Sequence, residues 1–245
     1  MLAPPTPDTG IQVFFSPTVY NEVMRGPFDP LHLIAFFMLL VFLLLFIQLG
    51  LVAIAFEKLG LSTGQGMLLL FSSLLGSGIN MRVVSIKAEK PEPDLQNINP
   101  KSLLRMPALP FTGHTQIAVN VGGCLVPLVF SASLMHRFPL DWPEIILAIG
   151  LVATVCYLTS RAIPGFGIGM PPLIAPIAAA LVAISVNHEL AAPLAYICGT
   201  LGVIIGADLL HLRDVAKLGT SIASIGGAGT FDGIFLTGIV AVLLT

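Results

Sequence analysis

Long apolar stretches free of charge recur along this chain, and they limit its fold more than any other feature. A hydrocarbon layer about 30 Å thick needs about 20 apolar residues from each helix that crosses it. Seven stretches meet that need: residues 31–56, 59–79, 112–135, 142–160, 163–187, 190–212 and 218–245. Only His32 and Gln48 interrupt the first, and the second carries Ser72, Ser73, Gly76, Ser77 and Gly78, small residues that permit close helix contact.

Composition points the same way. Of 245 residues, 56% are hydrophobic and 10% charged, where ordinary globular chains carry about 25% charge; the mean hydropathy is +0.95. So few charges cannot cover a water-facing surface, which excludes a soluble enzyme. A net charge of -2 offers no basic field to nucleic acid. The expected fold is all-α: a polytopic helical membrane protein of about seven transmembrane helices, some broken or re-entrant, with the lipid bilayer as its first partner. Residues 1–30 lack a signal peptide's apolar core and hold Pro4, Pro5, Pro7, Gly10 and Pro17, so they read as an N-terminal arm. Residues 31–245 read as a single transmembrane domain. Within it, residues 81–110 hold Arg82, Lys87, Glu89, Lys90, Glu92, Asp94, Lys101 and Arg105 among prolines and read as a solvated loop.

Basic loops stay in the cytoplasm. With the N-terminus inside, nine of the eleven Lys and Arg residues fall on the cytoplasmic side, leaving Lys58 and Arg137 outside. The expected orientation is therefore N-terminus inside, C-terminus outside and loop 81–110 cytoplasmic. Cys124, Cys156 and Cys198 are far apart in apolar runs and read as buried hydrophobes.

Three stretches are too rich in glycine and proline for unbroken helices: residues 112–127, 164–176 and 219–233. Backbone that leaves the helix at membrane depth must be buried in protein or line a wet cavity. These stretches are expected to meet around a polar centre containing Asn120, Gly227 and Gly229. Ile117-Ala118 followed by Gly122-Gly123 is echoed by Ile222-Ala223 followed by Gly226-Gly227, the kind of repetition found in duplicated transporter halves.

Asp208 and Asp232 are the acidic residues within the last pair of apolar stretches. A carboxylate at membrane depth is costly unless paired, wet or protonated, and so marks a functional site. Two of them suggest a dyad that shares a proton and activates a water. If both stretches were straight helices, Asp208 would lie about 6 Å from its helix end at Leu212 and Asp232 about 21 Å from a helix start at Leu218. The carboxylates meet only if residues 219–227 leave the helix.

Two resemblances follow from these motifs. Gly206-Ala207-Asp208, Phe231-Asp232 and Pro171-Pro172-Leu173 resemble, in permuted order, the Gly-Asp, aromatic-Asp and Pro-Ala-Leu motifs of presenilin-type intramembrane aspartyl proteases. That resemblance implies catalysis by Asp208 and Asp232 on a membrane-protein or peptide substrate, with Pro171, Pro172 and Leu173 shaping its cleft. Gly206 to Leu210, the run from Ser224 to Gly238, Asn120 to Gly123, and Met170-Pro171-Pro172 resemble a prokaryotic multi-pass membrane family, domain of unknown function sixteen-fourteen. This implies a prokaryotic cytoplasmic membrane and no particular activity.

Three other readings compete with the hydrolase. In a proton- or cation-coupled transporter or channel, the same aspartates would bind a small ion beside broken-helix carbonyls, with Gln116, Asn120 and His211. A metal site would use Asp208, His211, Asp232 and His114. In an assembly subunit, the aspartates would only cap helices. No cofactor motif is present, and no cofactor is expected.

Overall fold

Two of the apolar stretches, 142–160 and 190–212, form the long helices expected of them. A computed structural model of the chain describes residues 37, 38, 41, 50–87, 113–163, 167–217, 222–227 and 233–245. In chain order the elements are α1 (Gly50–Lys58), α2 (Thr63–Gly76), β1 (Asn80–Lys87) and β2 (His114–Asn120). A π-helical turn, Val121–Leu125, leads into α3 (Val126–Arg137), followed by α4 (Trp142–Thr159), β3 (Arg161–Ile163), β4 (Gly167–Gly169) and α5 (Ile174–Val186). Then come α6 (Ala191–Val203), its π-helical continuation Ile204–Leu209, α7 (Leu212–Lys217), β5 (Ile222–Ile225) and α8 (Gly233–Leu244).

The described residues are mostly helical. Two helices are long and apolar enough to cross a membrane: α4, with 18 residues, and α6 with its continuation, with 19. The pair α1 and α2 passes the same test but is bent by 109°. Ser62 fixes the second limb of that bend, its hydroxyl accepting the Gln65 N–H while the Gln65 side chain accepts the Ser62 N–H. The unit Val121–Arg137, α5 and α8 are apolar but shorter.

α6 is the hub of the bundle. It packs against α3, α4, α5 and α8, and 72% of its apolar window is buried, against 28% for α4. Small residues bring the axes together: Ala175, Ala179 and Ala183 recur every four residues on α5 and are fully buried, and Gly199 of α6 lies against Ala179. α4 instead turns Ile146, Leu147, Leu151 and Leu158 outward, an apolar surface suited to lipid rather than water.

The all-α expectation is overturned in the three stretches rich in glycine and proline. Residues 112–135 do not run as one helix, because His114–Asn120 is the central strand of a three-stranded sheet ordered β1-β2-β5. β1 lies antiparallel to β2, and β5 runs parallel to it, with Ile117 opposite Ala223 and Val119 opposite Ile225. Thr115, Ile117 and Ala118 are buried while His114 is exposed and Gln116 half-buried. This is close to the period-two pattern of a strand, hidden in an apolar run. Residues 163–187 open instead with the hairpin β3–β4, pairing Arg161 with Gly169, and the helix starts only at Ile174. Residues 218–245 supply β5 and the helix α8 over Gly233–Leu244. The loop expected over 81–110 begins as strand, since β1 carries Arg82 and Lys87 in the sheet. The rest of that loop to residue 112, the N-terminal arm, and most of the first apolar stretch lie outside the described residues.

Candidate functional site: a glycine-lined carboxylate and its polar support

The three-stranded sheet and the turns beside it converge on Asn120, which is fully buried. Its Nδ2 donates to Ser77 O at 2.7 Å and to Asn80 Oδ1 at 3.1 Å, and its Oδ1 accepts the Gly123 N–H at 2.8 Å. One side chain thus ties the end of α2, the start of β1 and the π-helical turn after β2. Ser224 Oγ brings in β5 by donating to the same Asn80 Oδ1 at 2.7 Å. Ser73 Oγ donates to Gly122 O at 2.7 Å, and a side chain on Gly122 would run into the Ser73 carbonyl oxygen. The two segments cross backbone to backbone, which is why glycine stands there.

Asp208 lies on the other side of this crossing. It sits half-buried in the π-helical end of α6, and its carboxylate accepts the Gly226 N–H at 3.3 Å. Gly226 follows β5 with φ +82° and Gly227 has φ +84°, a left-handed pair that turns the chain sharply and that residues with a Cβ rarely adopt. Gly226 also packs on Gly123 and Cys124. A continuous path therefore runs from Asn120 through Gly123 and Gly226 to Asp208. Asp208 lines a cavity of about 20 Å³ with Ile117, Ile168, Leu212, Val215, Ala223, Ser224 and Ile225.

The π-helical turn of the backbone leaves its mark at His211. Leu210 N bonds Ile205 O at 3.0 Å, and the Gly206 carbonyl accepts from His211 Nδ1 at 3.1 Å. A carbonyl only accepts, so Nδ1 carries the proton of this buried imidazole. His211 supports the segment that presents Asp208, and its ring packs on Tyr157 with centroids 4.8 Å apart.

Pro171, Pro172 and Leu173 join β4 to α5, and Pro171 lines a cleft of about 590 Å³ with Leu158, Thr159, Arg161, Gly169, Met170 and Ile174, a lining that does not include Asp208. Neighbours on one strand, Ile168 and Gly169, contribute to the Asp208 cavity and to this cleft respectively, as alternation along a strand dictates. Asp232 and Gly229 lie outside the described residues, Asp232 immediately before the first residue of α8. His114 begins β2 opposite Lys87, and among the described residues no three His, Cys, Asp or Glu side chains gather as metal ligands would.

Asp208, the Asn120-Val121-Gly122-Gly123 crossing and the Gly226–Gly227 turn all fall within residues 74–244, the stretch matched by the family model described as protein of unknown function (DUF1614). The chain belongs to this family. The match begins in α2 and ends with α8, so Asn120, Asp208 and the Gly226–Gly227 turn all lie within the matched stretch. Neither the curated proteins nor the solved structures contain a significant match.

Sequence reasoning passed over Asn80 and Ser224, which complete the Asn120 network. Both are common polar residues at strand positions, and their partners are 40 and 144 residues away. The Gly226-Gly227 pair just after β5 is a signal near Ser224, and the sequence carries none of this kind for Asn80.

Proposed function

We propose that this chain is a seven-pass protein of a prokaryotic cytoplasmic membrane, N-terminus inside, and that Asp208 and Asp232 form an aspartyl hydrolase centre for a peptide substrate. The observation that carries the reading is the docking of Gly226 on Asp208. With residues 222–225 extended, the straight-helix geometry that would hold the two aspartates at different depths does not apply, which supports the reading. The turn leading toward Asp232 starts at the Asp208 carboxylate. In such a centre the carboxyls hold one proton between them, one drawing a proton from the attacking water while the other supplies its own to the peptide carbonyl. The short units α5, α8 and Val121–Arg137 complete their passes through the extended segments that precede them, where strand pairing satisfies the backbone.

A second reading, a proton or small-cation carrier, is favoured by the size of the Asp208 cavity: about 20 Å³ suits one water or ion, not a peptide. One pair of variants separates them. Asp208→Asn and Asp232→Asn, purified folded in lipid discs, should each abolish cleavage of a transmembrane peptide, with no further loss in the double variant. If the wild type cuts no peptide but shows pH-gradient-driven ion flux that either variant alters, the carrier replaces the hydrolase. A distance above about 8 Å between cysteines placed at 208 and 232 would likewise sink the dyad, since one bridging water could not serve both groups.

A further inference from the structure

The cleft of about 590 Å³ on the far side of β4 has a composition unlike the Asp208 cavity. Leu158, Gly169, Met170, Pro171 and Ile174 give it apolar walls, and Arg161 is its only charged lining residue among those described. Thr159, the remaining polar group, uses its hydroxyl proton on Val155 O at 2.8 Å, one turn back within α4. Ile174 opens α5, so the amide end of that helix, with its partial positive charge, borders the same space. The guanidinium is exposed and permanently charged. The cleft therefore presents an apolar floor with a cationic rim.

Its place in the fold matters as much. It opens where α4, a helix long enough to span a bilayer, ends, next to the outward-facing Leu158, which is 72% exposed. That is the depth at which hydrocarbon gives way to headgroups. We propose that this cleft binds an acidic phospholipid of the surrounding leaflet, its phosphodiester on Arg161 and an acyl chain against Leu158, Met170 and Ile174. Charge complementarity selects an anion, and the apolar floor selects one that carries a chain. Apolar chain contact separates a lipid from free phosphate, which would gain nothing from the walls. The inference rests on the membrane reading but not on hydrolysis.

The test uses the full chain in phosphatidylcholine nanodiscs doped with spin-labelled phosphatidylglycerol or spin-labelled phosphatidylcholine, reading the immobilised fraction by electron paramagnetic resonance. The expected result is an association of the acidic lipid about fivefold above that of the zwitterionic one, as one basic residue near a surface confers. Arg161→Gln should bring the ratio to one, Arg161→Lys should keep most of it, and Arg213→Gln should leave it unchanged. Equal association of both lipids overturns the site, as does selectivity that survives Arg161→Gln. Loss of the selectivity to millimolar inorganic phosphate would reassign the cleft to a free anion. Failure to insert into discs would overturn it together with the membrane reading, whereas absence of peptide cleavage leaves the lipid ratio unaffected.

Discussion

The Asp208 carboxylate and the Gly226 backbone N–H meet at 3.3 Å, joining the π-helical end of α6 to the left-handed turn that follows β5. The bond needs an acceptor at position 208, not a charge. Asp208→Asn should therefore keep the turn docked and leave the unfolding midpoint in detergent nearly unchanged. Asp208→Ala leaves the Gly226 N–H without this acceptor and should cost about 1 kcal/mol. Equal melting of both variants would mean that the turn holds itself.

Gly226 is held from a side chain by both its backbone conformation and its neighbours. Its φ of +82° is a left-handed conformation, and an added Cβ would stand 2.7 Å from Cys124 Cβ. Gly226→Ala should destabilise by at least the roughly 1–2 kcal/mol of the backbone conformation alone, and the steric contact adds to it. Gly150, inside α4 with nothing within 4 Å of an added Cβ, provides the contrast. Gly150→Ala should be neutral or gain up to about 1 kcal/mol in helix propensity. Thermal unfolding of the two variants side by side decides it, and a tolerated Gly226→Ala would remove the argument for a tight turn.

Asn120 donates and accepts in the same buried place. Asn120→Ala leaves Ser77 O and the Gly123 N–H unpaired, at roughly 1–3 kcal/mol for each. Asn120→Asp restores only the acceptor, and its ionised form faces Ser77 O and Asn80 Oδ1 with no proton to offer. It should be no better than alanine. A melting curve of Asn120→Asp matching the wild type would show that the network does not hold the sheet.

Orientation is open to chemical labelling because the three native cysteines are buried. A cysteine replacing Leu95 should resist an impermeant maleimide in intact cells and react after lysis. One replacing the exposed Pro139, in the turn between α3 and α4, should react in both. The reverse pattern inverts the topology.

How much of this was legible in the sequence depends on whether the signal was local. α4 and α6 stand where the apolar stretches 142–160 and 190–212 placed them, since uninterrupted apolar length is a local property. The glycine and proline clusters marked the places where helices stop. What replaces the helix there is strand, because the extended backbone of β2 finds partners far off in sequence: Lys87 opposite His114, and Val119 opposite Ile225. The echo between Ile117-Ala118 and Ile222-Ala223 did mark the two parallel strands, but their pairing is one residue out of step with it, Ile117 facing Ala223. Motif likeness carries no distance, and it gave no sign that Pro171 lines a cleft whose walls do not include Asp208.

The parallel pairing of β2 and β5 also imposes an order on biosynthesis. Five helices, α3 to α7, lie between the two strands, so β2 leaves the ribosome long before its second neighbour exists. Pairings so distant in sequence are slow to form. Until Ile222–Ile225 has been translated, β2 keeps an open edge, and Ser224 and Gly226 cannot close on Asn80 and Asp208. The site is therefore finished last, by the final strand to be made, and a nascent chain arrested in α7 carries Asp208 without the turn that receives it.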